Sequence, residues 1–205
     1  MEETAARIVP NILSLAGVDP SGGAGLLADI KTISALGGYA CGAVTALTVQ
    51  NTRGVSGVRI MSGDFVSAQM ESVLSDIRID AVKIGMLGNC EVIEAAAGIL
   101  RDHPVKHVVL DTILASTSGT PLLEPEAVGV LIRKLLPLCT VFTPNLPEAA
   151  ILLGDETPAD EGGMENTARR LWNLAGCGPT VYLKGGHLSG DRMVDLVFDG
   201  KEVRR

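Results

Sequence analysis

Aromatic residues are scarce in this 205-residue chain, which contains one Trp, two Tyr and three Phe. Positive charge is in deficit as well, because 17 Lys and Arg stand against 24 Asp and Glu and leave a formal net charge of −7. A general nucleic-acid-binding protein needs a basic surface and aromatic rings on which bases stack. The composition therefore argues against that class, and no nucleic-acid partner is expected.

Long apolar runs and paired cysteines are also missing. No segment approaches the roughly 18 apolar residues that a membrane-spanning helix needs, and residues 1–7 lack the apolar stretch of a secretory signal. We therefore expect a cytoplasmic protein with no membrane partner. The four cysteines are far apart and form no Cys-x-x-Cys pair, which predicts reduced thiols rather than disulfides or a zinc site. They are Cys41, Cys90, Cys139 and Cys177.

Apolar residues make up 46% of the chain and charged residues 20%, which is typical of a folded globular protein. The 24 Gly and 10 Pro do not pool into a linker but separate short apolar segments. We therefore predict a single domain over residues 11–205, preceded by a short N-terminal extension of residues 1–10.

The apolar segments alternate between strand and helix patterns. This alternation predicts an α/β fold with helices on both faces of a mostly parallel sheet, and ligands at the carboxyl ends of the strands. Strands are predicted at residues 12–16, 43–49, 81–86, 105–110, 138–142 and 181–184, and a hairpin turns at Asp199-Gly200. Helices are predicted at 24–36, 64–77 with Asp64 as cap, 91–100, 124–136, 147–153 and 165–174.

A glycine-rich loop, residues 17–25, joins the first predicted strand to the first predicted helix. Residues 23–28 match the dinucleotide-binding pattern G-x-G-x-x-A, but residues 40–52 contain no acidic side chain to hold a ribose. A Walker A loop is also excluded, because Gly23 stands where that motif needs Lys. A tight structural turn remains the alternative interpretation of this loop.

Several motifs together carry a resemblance to a known family. From about residue 11 to its end, the chain resembles the hydroxymethylpyrimidine/phosphomethylpyrimidine kinases of thiamine biosynthesis, which belong to the ribokinase-like superfamily. This resemblance implies a three-layer α/β/α fold and ATP as phosphoryl donor. The motifs are Ala16-Gly-Val-Asp-Pro-Ser-Gly-Gly-Ala-Gly-Leu-Leu-Ala-Asp29, Thr45-Ala-Leu-Thr-Val-Gln-Asn-Thr52, Lys83-Ile-Gly-Met86, Val109-Leu-Asp-Thr112, Thr143-Pro-Asn-Leu-Pro-Glu-Ala149 and Leu183-Lys-Gly-Gly-His187.

The resemblance implies that Gly17, Asp29, Gln50 and Met86 bind the pyrimidine substrate. The Asp29 carboxylate suits an exocyclic amine, and the Gln50 amide can both donate and accept hydrogen bonds. Gly17 allows the backbone to approach the ring closely, and Met86 lies against it. From the residues alone, Asp29 can equally be a solvated helix carboxylate, Gln50 a strand-end turn residue and Met86 a core residue.

The resemblance also implies an ATP and Mg²⁺ site at Asp111, Asn145, Glu148 and Lys184. Asp111 and Glu148 are the candidate Mg²⁺ ligands, through bound water, because hard carboxylate oxygens suit this ion. The Asn-x-x-Glu spacing is also that of a helix capping box, and a lone Lys such as Lys184 is most often a solvated charge. The three histidines lack the spacing of metal ligands.

Two departures from the family pattern affect the expected activity. The family usually has a Lys in the segment that reads Ala-Ser-Thr-Ser-Gly at residues 115–119. Its Gly-Thr-Gly-Cys segment, which supplies the anion hole and the base, would lie beyond Arg205. We therefore assign no catalytic base within the 205 residues. We expect a C-terminally incomplete ribokinase-like domain with negligible kinase turnover, which is aggregation-prone or partly molten because apolar surface is left open.

The function predicted by the resemblance is ATP-dependent phosphorylation of 4-amino-5-hydroxymethyl-2-methylpyrimidine and its monophosphate, and the family suggests a homodimer. Two alternatives stay open. One is a pyridoxal kinase of the same superfamily, whose substrate also has a hydroxymethyl group on an aromatic ring. The other is a pyrimidine-binding module that does not catalyse.

Overall fold

A computed structural model describes residues 9–115, 121–186 and 193–205. Nine strands and six α-helices lie in these ranges and alternate for most of the chain. The strands are β1 (Asn11–Val18), β2 (Tyr39–Asn51), β3 (Gly54–Ile60), β4 (Ala81–Ile84), β5 (His107–Leu110), β6 (Val141–Phe142), β7 (Thr180–Leu183), β8 (Leu196–Phe198) and β9 (Val203–Arg204). The helices are α1 (Gly25–Ala35), α2 (Gly63–Leu74), α3 (Cys90–Asp102), α4 (Pro125–Val130), α5 (Leu146–Leu153) and α6 (Glu161–Leu174).

The strands form one sheet in the order β3-β2-β1-β4-β5-β6-β7-β8-β9. The pairs from β2 to β7 are parallel, whereas β3, β8 and β9 pair antiparallel at the two edges. This arrangement confirms the predicted mostly parallel sheet. The hairpin predicted at Asp199-Gly200 is confirmed as well, since β8 and β9 flank it.

Helices cover both faces of the sheet. Leu13 and Leu15 of β1 belong to a large apolar core that also contains buried residues of α2, α3, α5 and α6. Ser14, which points to the opposite face, donates a hydrogen bond to Asp29 of α1. On that face a Cβ on Gly42 would lie 2.9 Å from Leu26 of α1, so the missing side chain lets the helix pack closely. The layers are therefore α/β/α, as predicted.

The structure corrects three predicted elements. The helix predicted at 124–136 is α-helical only to Val130 and continues as a π turn and then a 3₁₀ turn, where Pro137 supplies no backbone N–H. The strand predicted at 138–142 is consequently only Val141–Phe142. At α2 the N-cap residue is Ser62, and Asp64 lies in the first turn, where its negative charge favours the helix dipole.

Strand β3 was not predicted. Its sequence, Gly-Val-Ser-Gly-Val-Arg-Ile, contains two glycines and lacks a regular apolar alternation. It forms because the long β2 extends past β1 and offers its outer edge to an antiparallel partner. All four cysteines are free, which confirms the prediction of unpaired thiols. None of the helices in the described ranges is both long and apolar enough to cross a bilayer.

Candidate functional site

A cavity of about 560 Å³ opens where the parallel strands end. Loops that follow β1, β5, β6 and β7 and the end of β2 contribute its walls, in agreement with the usual ligand position of such sheets. Seven of the eight predicted site residues line it. These are Gly17, Gln50, Met86, Asp111, Asn145, Glu148 and Lys184.

The glycine-rich loop is organised by Asp19, a cavity residue that the sequence analysis did not single out. Its buried carboxylate accepts backbone N–H groups of Ser21, Gly23 and Ala24 at 2.8–3.1 Å, together with the Ser21 hydroxyl. Burial raises the pKa of Asp19, but these hydrogen bonds outweigh burial and lower it overall. The carboxylate therefore remains ionised and fixes the loop. An Asp that precedes Pro-Ser-Gly-Gly is the signal that could have predicted this turn.

Close backbone approach explains two glycines of this loop. Gly25 has a φ of 58° and is the first residue of α1, where a Cβ would collide with the carbonyl oxygen of Gly17. At Gly17 a Cβ would lie 3.3 Å from Sδ of Met86. The loop thus brings backbone, rather than side chains, to the cavity beside Met86.

Gln50 reaches the cavity from the end of β2. The register between β2 and β3 shifts next to Gln50, so that Val49 pairs with Gly57 whereas Gln50 pairs with Val55, and Val55 also lines the cavity. Bulges of this kind often redirect side chains at functional sites. The Thr48 hydroxyl lies 3.2 Å from Oε1 of Gln50 and donates to the Val18 carbonyl at 2.9 Å. The Gln50 amide therefore lies beside the end of the first strand, with the single Thr48 hydroxyl between them.

Asp111 and Lys184 meet across the ends of β5 and β7. The Lys184 ammonium donates to Oδ1 of Asp111 at 3.0 Å, and the Thr143 hydroxyl donates to the same oxygen at 3.0 Å. Backbone pairing also places Lys184 beside the start of α5, because its N–H donates to the Pro144 carbonyl at 2.8 Å. This wall of the cavity thus combines a cation with a carboxylate, and the Thr143 hydroxyl supports the carboxylate from outside the lining.

Asn145 and Glu148 form the capping box of α5. The Asn145 side chain accepts the Glu148 N–H at 2.9 Å, and Oε2 of Glu148 accepts the Asn145 N–H at 2.8 Å. Oε2 of Glu148 also accepts the hydroxyl of the buried Thr112 at 3.2 Å. Burial raises the pKa of Glu148 above its ordinary value, although the Asn145 N–H and the Lys184 charge act against it. The capping interpretation is therefore confirmed, and both residues face the cavity as well.

Asp29 is the predicted site residue that the structure places elsewhere. It is not among the residues that line the cavity. Its Oδ2 accepts the Ser14 hydroxyl at 2.7 Å and forms an ion pair with Lys83 at 2.8 Å. The reason is its position on α1, which directs the carboxylate towards the middle of β1 and β4 rather than towards the strand ends. Asp29 thus joins helix and sheet in this structure, and its predicted substrate contact stays a prediction.

This sheet order, with a glycine-rich turn after the first strand and a cavity that combines Lys, Asp and Glu, is that of a ribokinase-like small-molecule kinase. The family model described as phosphomethylpyrimidine kinase matches residues 19–205, and the chain belongs to this family. Over 195 residues it is 50% identical to the hydroxymethylpyrimidine/phosphomethylpyrimidine kinase of Escherichia coli (strain K12). The aligned residues make up 95% of this chain and 73% of that enzyme.

Solved structures show the same fold. The phosphomethylpyrimidine kinase of Clostridium difficile 630 superimposes with a TM-score of 0.87 at 39% identity, over 95% of this chain and 83% of that one. The pyridoxal kinase of Staphylococcus aureus in complex with ADP superimposes with a TM-score of 0.84 at 33% identity, over 96% of this chain and 70% of that one. The predicted family, fold and kinase class are thus confirmed.

Proposed function

We propose that the protein transfers a phosphoryl group from Mg²⁺-bound ATP to 4-amino-5-hydroxymethyl-2-methylpyrimidine and to its monophosphate, as in thiamine biosynthesis. The observation that supports this proposal is the composition of the cavity. One end holds Gln50, Met86 and the Gly17 backbone, and the other holds the charged groups around Lys184. Phosphoryl transfer depends mainly on positioning and charge stabilisation, which such a two-ended cavity provides.

The pyrimidine end is suited to a flat, polar-edged ring. The Gln50 amide supplies both a donor and an acceptor for an aminopyrimidine edge. Met86, which is only 7% exposed, supplies a polarisable surface for the ring face. Because Gly17 has no side chain, its backbone can approach the ring closely. In this proposal Asp29 also supports the wall of the cavity through its ion pair with Lys83.

The charged end is suited to a triphosphate and a magnesium ion. Mg²⁺ is typically bound by one or two carboxylates together with substrate phosphates and water. Asp111 and Glu148 line the same cavity. Among the described residues no group of three or more His, Cys, Asp and Glu side chains could hold a metal alone. The donor set therefore fits an ion that arrives with the nucleotide, where it would neutralise phosphate charge, and Lys184 would pair with phosphate oxygens.

Pyridoxal kinase activity is the second candidate, because the Staphylococcus aureus pyridoxal kinase has the same fold at 33% identity. The 50% identity to the Escherichia coli enzyme favours the pyrimidine. Isothermal titration with both compounds separates the two candidates, and tighter binding of pyridoxal would overturn our choice. Measuring ADP formation with Mg²⁺-ATP and the pyrimidine separates a kinase from a module that only binds.

Replacement of Gln50 tests the assignment of the pyrimidine end. Gln50→Ala removes a partner from a polar group of the ligand, and we expect pyrimidine binding to weaken by about 1–3 kcal/mol. Glu94→Gln is the control, because this exposed side chain of α3 lies outside the cavity; its pyrimidine affinity should stay close to that of the unmodified protein. Equal losses in both variants would contradict the proposed arrangement.

A homodimer and a cytoplasmic location remain predictions. Two apolar side chains on the outer part of β2, Leu47 and Val49, are 48% and 66% exposed and support a subunit contact there. Sedimentation equilibrium of the unmodified protein and of Val49→Asp tests the dimer. A monomer in both cases would exclude it.

A further inference from the structure

An acidic side chain outside the cavity holds the turn that carries Lys184. Asp195 lies just before β8, and its Oδ1 accepts the backbone N–H of Gly185 at 3.0 Å. Its other oxygen, Oδ2, accepts the Tyr182 hydroxyl at 2.9 Å. Asp195 does not line the cavity. It therefore contacts the residues on both sides of Leu183 and Lys184 without reaching the ligand space.

The turn after β7 is also packed too closely for a side chain at Gly185. A Cβ on Gly185 would collide with the carbonyl oxygen of Val194, the residue that precedes Asp195. Gly185 is buried, so its N–H depends on a protein acceptor, and an unmet N–H in such a place is costly. The Asp195 carboxylate is that acceptor. Moving Asp195 would therefore free the backbone immediately after Lys184.

The backbone position of Lys184 determines where its ammonium lies in the cavity wall. Its backbone N–H is held by the Pro144 carbonyl, and its ammonium lies 3.0 Å from Asp111 in the cavity wall. The side chain is 38% exposed, so packing alone does not fix it. A small rotation of the Lys184–Gly185 backbone would displace the ammonium from Asp111 by a larger distance, because the long side chain amplifies it.

We propose that Asp195 is a positioning residue for the nucleotide half of the cavity, where it fixes the Lys184–Gly185 turn and thereby presents the Lys184 ammonium to the phosphates. The inference rests on the nucleotide role proposed above for Lys184. It predicts a selective effect: loss of the Asp195 acceptor weakens nucleotide binding and leaves pyrimidine binding unchanged.

Calorimetric titration with Mg²⁺-ADP and, separately, with the pyrimidine tests this selectivity. Asp195→Ala should weaken Mg²⁺-ADP binding about tenfold, the effect of losing one charge-assisted hydrogen bond that orders a ligand group. Asp195→Asn keeps an oxygen for the Gly185 N–H and should remain within about threefold of the unmodified protein. Tyr182→Phe removes only the second contact and should stay within about twofold. Pyrimidine affinity should be the same in all of them.

Two readouts do not depend on how well Asp195→Ala folds. In the unmodified protein, Mg²⁺-ADP should shift the amide resonances of Gly185 and Asp195, and unchanged resonances would overturn the inference. The hydrogen bond to Asp195 is the main cause that raises the pKa of Tyr182, ahead of the negative charge of Asp195 and of burial. Spectroscopic titration of this phenol should therefore show a lower pKa in Asp195→Asn, with Tyr182→Phe identifying the signal.

Lys184→Met distinguishes failure of this inference from failure of the proposed function. If Lys184→Met weakens Mg²⁺-ADP binding and Asp195→Ala does not, the inference is wrong and the nucleotide site stands. If neither Lys184→Met nor Asp195→Ala changes the affinity, or the unmodified protein binds no ADP, the nucleotide assignment itself is wrong. Equal weakening of ADP and pyrimidine by Asp195→Ala would show a general structural role and would overturn the selective one.

Discussion

The ammonium of Lys83 lies 2.8 Å from Oδ2 of Asp29, the same oxygen that accepts the Ser14 hydroxyl. The side chains are 26% and 18% exposed, so this ion pair is largely screened from water. It connects α1 with β1 and β4 just below the cavity. Because Met86 follows Lys83 by only three residues, the pair also anchors the segment that carries Met86 into the cavity.

We expect Asp29→Ala to destabilise the fold more than an exposed ion pair would. It leaves the partly buried Lys83 ammonium without its partner, which should lower the free energy of unfolding by about 1–3 kcal/mol. Urea denaturation measures this change. Arg78→Ala breaks the exposed pair with Asp80, where Arg78 is 74% exposed, and should cost less than about 1 kcal/mol. Equal costs would show that the Asp29 pair is no more than a surface contact.

The glycine-rich loop leads to a second prediction. Gly25→Ala forces a side chain into the left-handed region at a φ of 58° and against the Gly17 carbonyl. We expect a loss of at least about 2 kcal/mol of stability, together with weaker pyrimidine binding. Gly178→Ala is the matched control, because a Cβ there meets nothing within 4 Å. Thermal unfolding of both variants and titration with the pyrimidine measure the two effects. A fully stable Gly25→Ala would mean that the loop adapts.

The sheet and most of the cavity could be predicted from the sequence because both follow from local pattern. Residues that end buried parallel strands must meet at one edge, and this placed Gln50, Met86, Asp111 and Lys184 together. The position of Asp29 could not be predicted this way. Whether a helical carboxylate faces a ligand or a strand depends on how the helix packs, and that packing is a tertiary property.

Two other features of the structure were not predicted from the sequence, for related reasons. The edge strand β3 has weak local propensity and exists because β2 offers it a partner. Asp195 lies ten residues from Gly185 in sequence, and no motif links them. A hydrogen bond between a side chain and a distant backbone N–H places no requirement on residue type at the N–H, so a single sequence does not predict it.

The cysteines provide a chemical test of the packing. Burial raises the pKa of the Cys139 thiol to about 12, and its Sγ donates to the Leu135 carbonyl at 3.4 Å. Cys177 is exposed. Because the thiolate is the nucleophile, iodoacetamide at pH 8 should modify Cys177 rapidly and leave Cys139 intact, as measured by mass spectrometry of peptides. Urea should abolish the difference. Rapid modification of Cys139 under native conditions would contradict the packing of the turns that follow α4.

The raised pKa of Glu148 predicts that this residue costs stability at neutral pH and contributes to ligand binding. Burial raises its pKa in the folded state, so folding favours the protonated form. The contribution of Glu148 to the free energy of unfolding is therefore favourable and complete below the unfolded-state pKa of about 4.5, and it is lost as the pH rises through the folded-state pKa.

Glu148→Gln tests this prediction, because it keeps an oxygen for the Asn145 N–H without the charge. In the absence of ligand it should melt at a higher temperature than the unmodified protein at pH 8, and the difference should shrink towards pH 4. Mg²⁺-ADP should reverse the order, because the cation favours a carboxylate. Scanning calorimetry from pH 4 to 8, with the exposed Glu94→Gln as control, measures both effects, and a difference independent of pH would refute the assigned cause.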